Sequence, residues 1–152
     1  MAVEHYERIG MLPHFNPDLD GETAPAEVAL LRSLVAGADV VVISTPEYVH
    51  ALPGSFKNAL DWLVSDPAVV GKPVVILHAS LESRWALDSL KEILRTMSAR
   101  VIEAASVSLP LGSNRLDEEA ILARADLRGL LLGSIESLQA WSPGGEDQPV
   151  QK

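Results

Sequence analysis

Two unbroken apolar runs are the clearest structural signals along this chain. Residues 39–44 carry consecutive β-branched side chains, and residues 74–77 repeat the pattern after the turn-like Gly71-Lys72-Pro73. Neither run alternates with polar residues, which is typical of strands covered on both faces of a sheet. Residues 101–107 indicate a third strand, and residues 2–9 indicate a short strand at the start.

Apolar residues at helical spacing fill the segments between these strands. The first stripe starts after Thr23, which we expect to be its N-cap, and Pro53 suits the first turn of the second helix. Lys57 and Asp61 are spaced for an i, i+4 ion pair, and Asp117 is expected to cap one long fourth helix. The four stripes are Val28, Leu31 and Val35; Phe56, Ala59, Leu60 and Leu63; Leu87, Leu90, Leu94 and Met97; and Ile121, Leu131, Ile135 and Leu138.

Strands that alternate with helices predict an α/β fold, a parallel sheet with helices on both faces. The 152 residues, of which 47% are hydrophobic, fit one globular domain. We expect this domain to cover residues 1–141 and to be followed by a flexible C-terminal tail at 142–152. Right-handed crossovers place the carboxyl ends of the strands along one rim, where α/β proteins bind ligands.

Composition excludes several classes of function. The net charge of −9, without a basic cluster, argues against nucleic-acid binding. The chain has no cysteine, and its four histidines have no close metal-ligand spacing, so we expect neither a disulfide nor a bound metal. No apolar run reaches the roughly 20 residues of a membrane span, and no signal peptide is evident. We therefore expect a cytoplasmic protein without membrane contact.

The turn after the first strand, residues 44–54, holds the best candidate site. Pro46 has no N–H and a fixed φ, so the following amides, near Tyr48 and His50, are held in defined directions that suit a planar heterocycle. The alternative is a rigid connector between strand and helix, and the pattern alone leaves both open. His78, after the second strand, either faces the same rim or is a satisfied core histidine.

Other chemical signals are weaker. Gly112-Ser113-Asn114-Arg115 lacks the frame of a phosphate loop, so we interpret it as a surface turn. The tryptophans at 62, 85 and 141 are interpreted as packing or interface residues. No nucleophile elbow is present, so hydrolase chemistry has no support.

The segment from Thr45 to Trp62 resembles the signature of the NADPH-dependent FMN reductase family, which includes chromate- and quinone-reducing flavoproteins. That signature is T-P-E-Y-N-x-x-x-P-G-x-L-K-N-A-I-D-W. The chain has Thr45-Pro46-Glu47-Tyr48, followed by Leu52-Pro53-Gly54-Ser55-Phe56-Lys57-Asn58-Ala59-Leu60-Asp61-Trp62. The similarity extends over about Val3 to Pro110.

The resemblance implies a flavodoxin-like, doubly wound parallel sheet that binds FMN. Such proteins pass a hydride from NAD(P)H through the flavin to a small-molecule electron acceptor. It also implies a homodimer, in which Lys57, Asn58 and Trp62 pack against the partner, and it assigns no catalytic side chain. The residues that it assigns to the flavin are Thr45, Pro46, Glu47, Tyr48, Val49 and, in the loop after the next strand, Ser80.

Three departures from the family pattern affect these expectations. Val49 replaces an asparagine, and Leu81-Glu82-Ser83 replaces glycines. The family also has a strand, a phosphate-binding loop G-S-x-R-x-x-S-x-N and a helix before the region that matches residues 2–9. We therefore expect a fold without its first strand and helix.

Three explanations for this missing segment stay open. In order of preference, they are a start assigned too late or a shortened chain, a degenerate family member whose sheet closes up, and a strand supplied by a partner. The alternative to a reductase is accordingly a non-catalytic dimerising or binding module derived from the family.

Overall fold

The sheet is centred on β2 (Pro73–His78), which pairs with parallel strands on both sides. A computed structural model describes residues 2–21, 23–79, 84–112 and 115–142. The other three strands are β1 (Val41–Thr45), β3 (Arg100–Val101) and β4 (Val107–Ser108). β1 pairs along one side of β2 in the register Val41 with Val74 to Thr45 with His78, and β3 and β4 share its other side. The two apolar runs are therefore the two main strands, as predicted.

The predicted third strand at residues 101–107 is interrupted. Between β3 and β4 the chain turns, and the Ser106 amide donates back to the carbonyl of Ile102 at 3.0 Å. The Ser106 hydroxyl accepts a hydrogen bond from the Ile76 amide at 3.0 Å and donates to the Ile102 carbonyl at 2.9 Å. Because this hydroxyl satisfies a β2 amide that a continuous strand would bind, the ladder tolerates the gap.

The predicted strand at residues 2–9 is wrong. Residues 2–8 have no regular structure, and a 3-10 helix follows at Ile9–Met11. This segment is held against the helices, because Arg8 forms an ion pair with Glu27 at 2.5 Å and Leu12 is buried with α1 residues. Within the described ranges β1 has a strand on one side only. The expected absence of a first strand stays a prediction.

Helices cover both faces of β2, as predicted, but β1 is buried on one face only, and on its other face Val42 is 54% exposed. On one face, Ile43 and Ile76 pack with Leu60 of α2 and Leu90 of α3. On the other, Val75 and Ile102 pack near Leu138 and Trp141, at the carboxyl end of the helix Ala125–Ala140. Among the described helices, none combines the length and the apolar character that a membrane crossing requires. The helices are α1 (Ala26–Gly37), α2 (Gly54–Leu63), α3 (Trp85–Thr96), α4 (Glu118–Ala123) and α5 (Ala125–Ala140).

Two predicted helix boundaries are wrong. The N-cap position of α1 is Pro25, not Thr23, because a proline with φ −55° and no N–H suits a helix start and disfavours helical backbone before it. The predicted long fourth helix is divided at Arg124, whose backbone is extended. The Arg124 guanidinium donates to the Leu111 carbonyl at 3.2 Å and to Asp126 at 2.5 Å. Asp117 caps α4 as predicted, by accepting from the Ala120 amide at 2.8 Å.

Trp62 of α2 holds the N-terminal loop within the same chain. Its side chain is 0% exposed, and its indole N–H donates to the Pro13 carbonyl at 2.8 Å. One turn earlier, the Asn58 amide donates to the same carbonyl at 2.9 Å and accepts from the Phe15 amide at 2.8 Å. The expectation that Trp62 packs against a partner subunit was therefore wrong. Lys57 forms the predicted i, i+4 ion pair with Asp61.

Arg32 of α1 caps the carboxyl end of α2. Its Nε and Nη2 donate to the Trp62 carbonyl at 3.0 and 2.6 Å, and Nη2 also donates to Asp20 at 2.6 Å and to Ser65 at 3.0 Å. A cation at this end of a helix satisfies a free carbonyl and complements the helix dipole. The Arg32 hydrogen bond, followed by one from Ser65, lowers the pKa of Asp20 below its usual value.

Replacing Arg32 with methionine is expected to lower the free energy of unfolding by about 2 kcal/mol, because charge-assisted hydrogen bonds to a largely buried carbonyl are lost. Urea denaturation measures the change. Arg95→Met is the matched control, since Arg95 forms an exposed pair with Glu92 on α3 and its loss is expected to cost less than about 1 kcal/mol. Equal losses in the two variants would contradict this role.

The Asp20 part of the effect depends on pH. Because the folded pKa of Asp20 is lowered, its stabilisation is present above the ordinary carboxyl pKa of about 3.9 and is lost as the pH falls through the folded value.

Candidate functional site

The carboxyl ends of β1, β2 and β4 meet at one rim of the sheet. Thr45 ends β1 opposite His78 at the end of β2, and His78 pairs on its other side with Ser108. The His78 carbonyl accepts a hydrogen bond from the Leu109 amide at 2.7 Å, which extends this alignment past β4. The turn after β1 and the start of α3 both lie at this rim.

The candidate turn is a tight reversal centred on Val49 and His50. Tyr48 and Ala51 exchange two backbone hydrogen bonds, of 2.9 and 3.0 Å. Val49 and His50 have φ values of 52° and 58°, and two positive φ angles at the central positions are typical of a type I′ turn. Valine is β-branched and rarely adopts this conformation, so the turn holds local strain.

Glu47 ties the turn to α3. Its Oε2 accepts a hydrogen bond of 2.9 Å from the backbone amide of Ala86, in the first turn of α3. A carboxylate at this end of a helix satisfies a free amide and complements the helix dipole. Glu47 thus has a positioning role: it fixes how the turn lies relative to the first turn of α3.

The predicted site residues differ in what they present to solvent. Pro46 is exposed, Tyr48 is 61% exposed and Val49 is 100% exposed. Thr45 is buried, and its hydroxyl donates to the Pro46 carbonyl at 3.3 Å. Ser80, the remaining predicted residue, lies outside the described residues.

An aromatic pair that was not predicted from the sequence lies at this rim. The rings of His50 and Trp85 are stacked, with centroids 5.7 Å apart and planes at 29°. Trp85 is the first residue of α3 and is 63% exposed, so it adds an open aromatic surface beside Tyr48's turn. The only sequence signal was an aromatic residue just before a predicted helical stripe, and that position alone does not indicate a partner.

His78 is not the satisfied core histidine that one of the two interpretations describes. It is 4% exposed and lines a small cavity at the carboxyl ends of β2 and β4, and neither ring nitrogen has a hydrogen-bond partner within the described ranges. An unsatisfied buried polar group costs about 1–3 kcal/mol unless water or a ligand binds it. No group of three or more metal-binding side chains occurs in the part of the chain that the structure describes.

Comparison with known proteins identifies the family. The family model of NADPH-dependent FMN reductases matches residues 2–114. The chain belongs to this family. The match confirms the resemblance seen in the sequence and the expectation of an oxidoreductase, with FMN and NAD(P)H as the cofactors of the family.

Individual relatives agree with this assignment. An NAD(P)H-dependent FMN reductase of Pseudomonas aeruginosa is 28% identical over 93% of this chain and 78% of its own length. The NADH:(hydroxy)cinnamate reductase subunit CrdA of Vibrio ruber is 37% identical over 70% of this chain, and a quinone reductase of Escherichia coli is 40% identical over 53%. The matches span 55% and 45% of those two proteins.

A solved structure supports the predicted fold. The flavoenzyme NAD(P)H:(acceptor) oxidoreductase of Paracoccus denitrificans superposes with a TM-score of 0.63 at 27% identity, over 90% of this chain and 80% of that one. The α/β, flavodoxin-like prediction is thereby confirmed.

The rim turn fits the ring of a flavin. The amides of Val49 and His50 have no acceptor among the described residues, and the exposed Tyr48 side chain offers an apolar surface beside them. A planar heterocycle with acceptor atoms at its edge complements this combination of donors and apolar surface. The described part of the rim contains no glycine-rich loop that would hold the FMN phosphate.

Replacing Val49 with asparagine, the family's residue here, is expected to raise the free energy of unfolding by about 1 kcal/mol. Asparagine tolerates positive φ, and the fully exposed valine side chain makes no packing that would be lost. Val70→Asn is the matched control, because Val70 is also exposed but has a φ of −63°. Thermal or urea unfolding measures both. A gain at Val70 as large as that at Val49 would show that the turn conformation is not its cause.

Proposed function

We propose that this protein is an NAD(P)H-dependent flavin reductase, which passes a hydride through FMN to a small-molecule electron acceptor. The observation that carries the proposal is the strained, exposed turn at the end of β1, which presents free amides and Tyr48 at the rim of a fold shared with FMN reductases. Local strain that packing does not require is found most often at functional sites.

Within this proposal the site residues have two kinds of role. Pro46, Tyr48 and Val49 contact the flavin ring, and Thr45 and Glu47 hold the turn in place, through the buried hydroxyl and the bond to α3. Ser80 is proposed as a further contact on the basis of the family resemblance.

The flavin supplies the hydride chemistry when it is bound, and the protein supplies orientation. The turn defines one edge of the ring site by its amides, and Tyr48 excludes water from the ring surface that it covers. His50 is held by its stack on Trp85, so its imidazole stays beside the turn. Relatives of this chain are named as quinone, hydroxycinnamate and azo reductases. These names favour an aromatic or conjugated acceptor for this chain as well.

The decisive experiment is a titration of the purified protein with FMN, followed by quenching of flavin fluorescence. We expect saturable binding, and oxidation of NAD(P)H once FMN and a quinone are present. Absence of FMN binding would remove the proposal. Binding without NAD(P)H oxidation would favour the non-catalytic module instead. Riboflavin serves as a second ligand, because equal affinities for FMN and riboflavin would show that the phosphate contributes nothing.

Tyr48→Ala is expected to weaken FMN binding about tenfold, which corresponds to about 1.4 kcal/mol and to the loss of an aromatic contact. Tyr48 is exposed, so the fold should be unaffected, and circular dichroism checks this. Val64→Ala is the control: Val64 is similarly exposed but follows α2, at the end away from the rim. A Tyr48 variant that binds FMN like the Val64 variant would contradict the assignment.

We also propose a homodimer, because the rim is an open aromatic surface that leaves one side of a bound ring uncovered. Trp85→Ser is expected to weaken dimerisation at least tenfold, since a large exposed indole is lost from that surface. Light scattering across a concentration series measures it. Val70→Ser is the control, and a monomeric wild-type protein at all concentrations would overturn the proposal.

A further inference from the structure

A small cavity lies between α3 and the interrupted outer strand, separate from the exposed turn. Its volume is about 160 Å³. Water occupies about 30 Å³ in the liquid and drug-sized ligands need pockets of about 300–1,000 Å³, so this cavity suits a few waters or a small ion but not a flavin ring. It is lined by Ile76, His78, Arg84, Leu87, Lys91, Glu103, Ser106, Val107 and Ser108.

Some polar groups around the cavity form hydrogen bonds or ion pairs with other described residues, and others do not. Lys91 forms an ion pair with Glu103 at 2.8 Å, and the Ser106 hydroxyl is bound to the backbone. By contrast, no hydrogen bond or ion pair to the described residues engages the side chains of His78, Arg84 and Ser108. A guanidinium, an imidazole and a hydroxyl that no other described residue engages therefore line one small cavity.

The burial of His78 makes this more than a surface cluster. Its ring is almost completely removed from water, and both nitrogens are left without partners in the described chain. Polar atoms this deeply buried are nearly always bound to protein, to water or to a ligand. The arrangement calls for an occupant that can hydrogen-bond to imidazole.

The charge around the cavity selects the occupant. The Lys91 and Glu103 charges offset one another, which leaves Arg84 as the cation without an ion-pair partner among the lining residues. Arg84 is also the N-cap residue of α3, but Glu47 already binds the Ala86 amide there and Asp88 adds a second negative charge to the first turn, so the helix dipole is offset. The attraction for an oxyanion therefore comes from the guanidinium group, which binds oxyanions through paired N–H donors.

We propose that this cavity binds a small oxyanion of the carboxylate or phosphate type. Arg84 supplies the charge, and His78 and Ser108 supply hydrogen bonds. The overall charge of −9 repels anions, so the affinity must come from these local groups. The proposal does not depend on flavin binding.

The test is a titration of the full chain, without flavin, with inorganic phosphate and separately with acetate, at constant ionic strength set by chloride. The imidazole resonances of the four histidines are followed by NMR, and His78→Gln identifies the resonance of His78. We expect a saturable shift of His78 with at least one of the two anions, and smaller shifts of His5, His14 and His50. Uniform shifts of all four, or no saturation, would overturn the proposal.

Arg84→Gln is expected to weaken anion binding at least tenfold. Its side chain is exposed and has no partner among the described residues, so the variant should fold normally. Arg95→Gln is the matched control, since it removes an arginine from the same helix outside the cavity. Equal weakening in both variants would show general screening and overturn the site.

Two further titrations, one with NADPH and one with FMN, identify the source of the oxyanion. NADPH and FMN carry phosphates on groups too large for the cavity, so we expect neither to displace inorganic phosphate from His78. Displacement by either one would place these residues in a nucleotide site and overturn the assignment to a free small anion.

Discussion

Parallel pairing on both sides of β2 is the constraint on which the rest of this structure depends. β2 is the strand with which each of the other described strands pairs, and its central side chains Val74, Val75 and Ile76 are almost completely buried. Parallel strands must enter from the same end, so β1, β2 and β4 all end at one rim. The turn at Tyr48, the start of α3 and the buried His78 are close together for this reason.

The interactions at the rim depend on that alignment in a definite order. Once β1 and β2 are in register, the carboxylate of Glu47 comes within hydrogen-bond distance of the first turn of α3. That contact places Trp85 against His50 and leaves Tyr48 and Val49 exposed. The pairing also sets the position of Arg84, the residue before α3. One backbone register thus controls both the proposed flavin surface and the oxyanion cavity.

Local patterns predicted what local forces determine. The runs at β1 and β2 were identified because uninterrupted apolar residues favour strands, although only β2 is covered on both faces, and Asp117 was identified because N-caps act within one turn. The interruption at Ser106 was not predictable, since it depends on a hydroxyl that reaches an amide of another strand. Arg124 likewise divides a helical stripe by binding a distant carbonyl. Propensity along the chain contains no information on such contacts.

The candidate site shows the same limit. Its turn was predicted from residue types that stiffen a backbone, and its proposed ligand from a resemblance to a family. The stack of His50 on Trp85 joins residues 35 positions apart, and the cavity is made by the ends of separated strands. Asn58 and Trp62 of the family signature bind the backbone of Pro13 and Phe15, a contact within the chain that the sequence did not predict.

Ser106 has a consequence for how this protein can diverge. Its hydroxyl binds the Ile76 amide where the outer strand is interrupted, and both residues line the cavity. This part of the cavity wall therefore belongs to the folding core and tolerates little change. His78, Arg84 and Ser108 form no such bonds in the described structure. Substitutions of Arg84 and Ser108, which are not buried as His78 is, can therefore alter ligand preference while the sheet stays intact, which separates the evolution of specificity from that of stability.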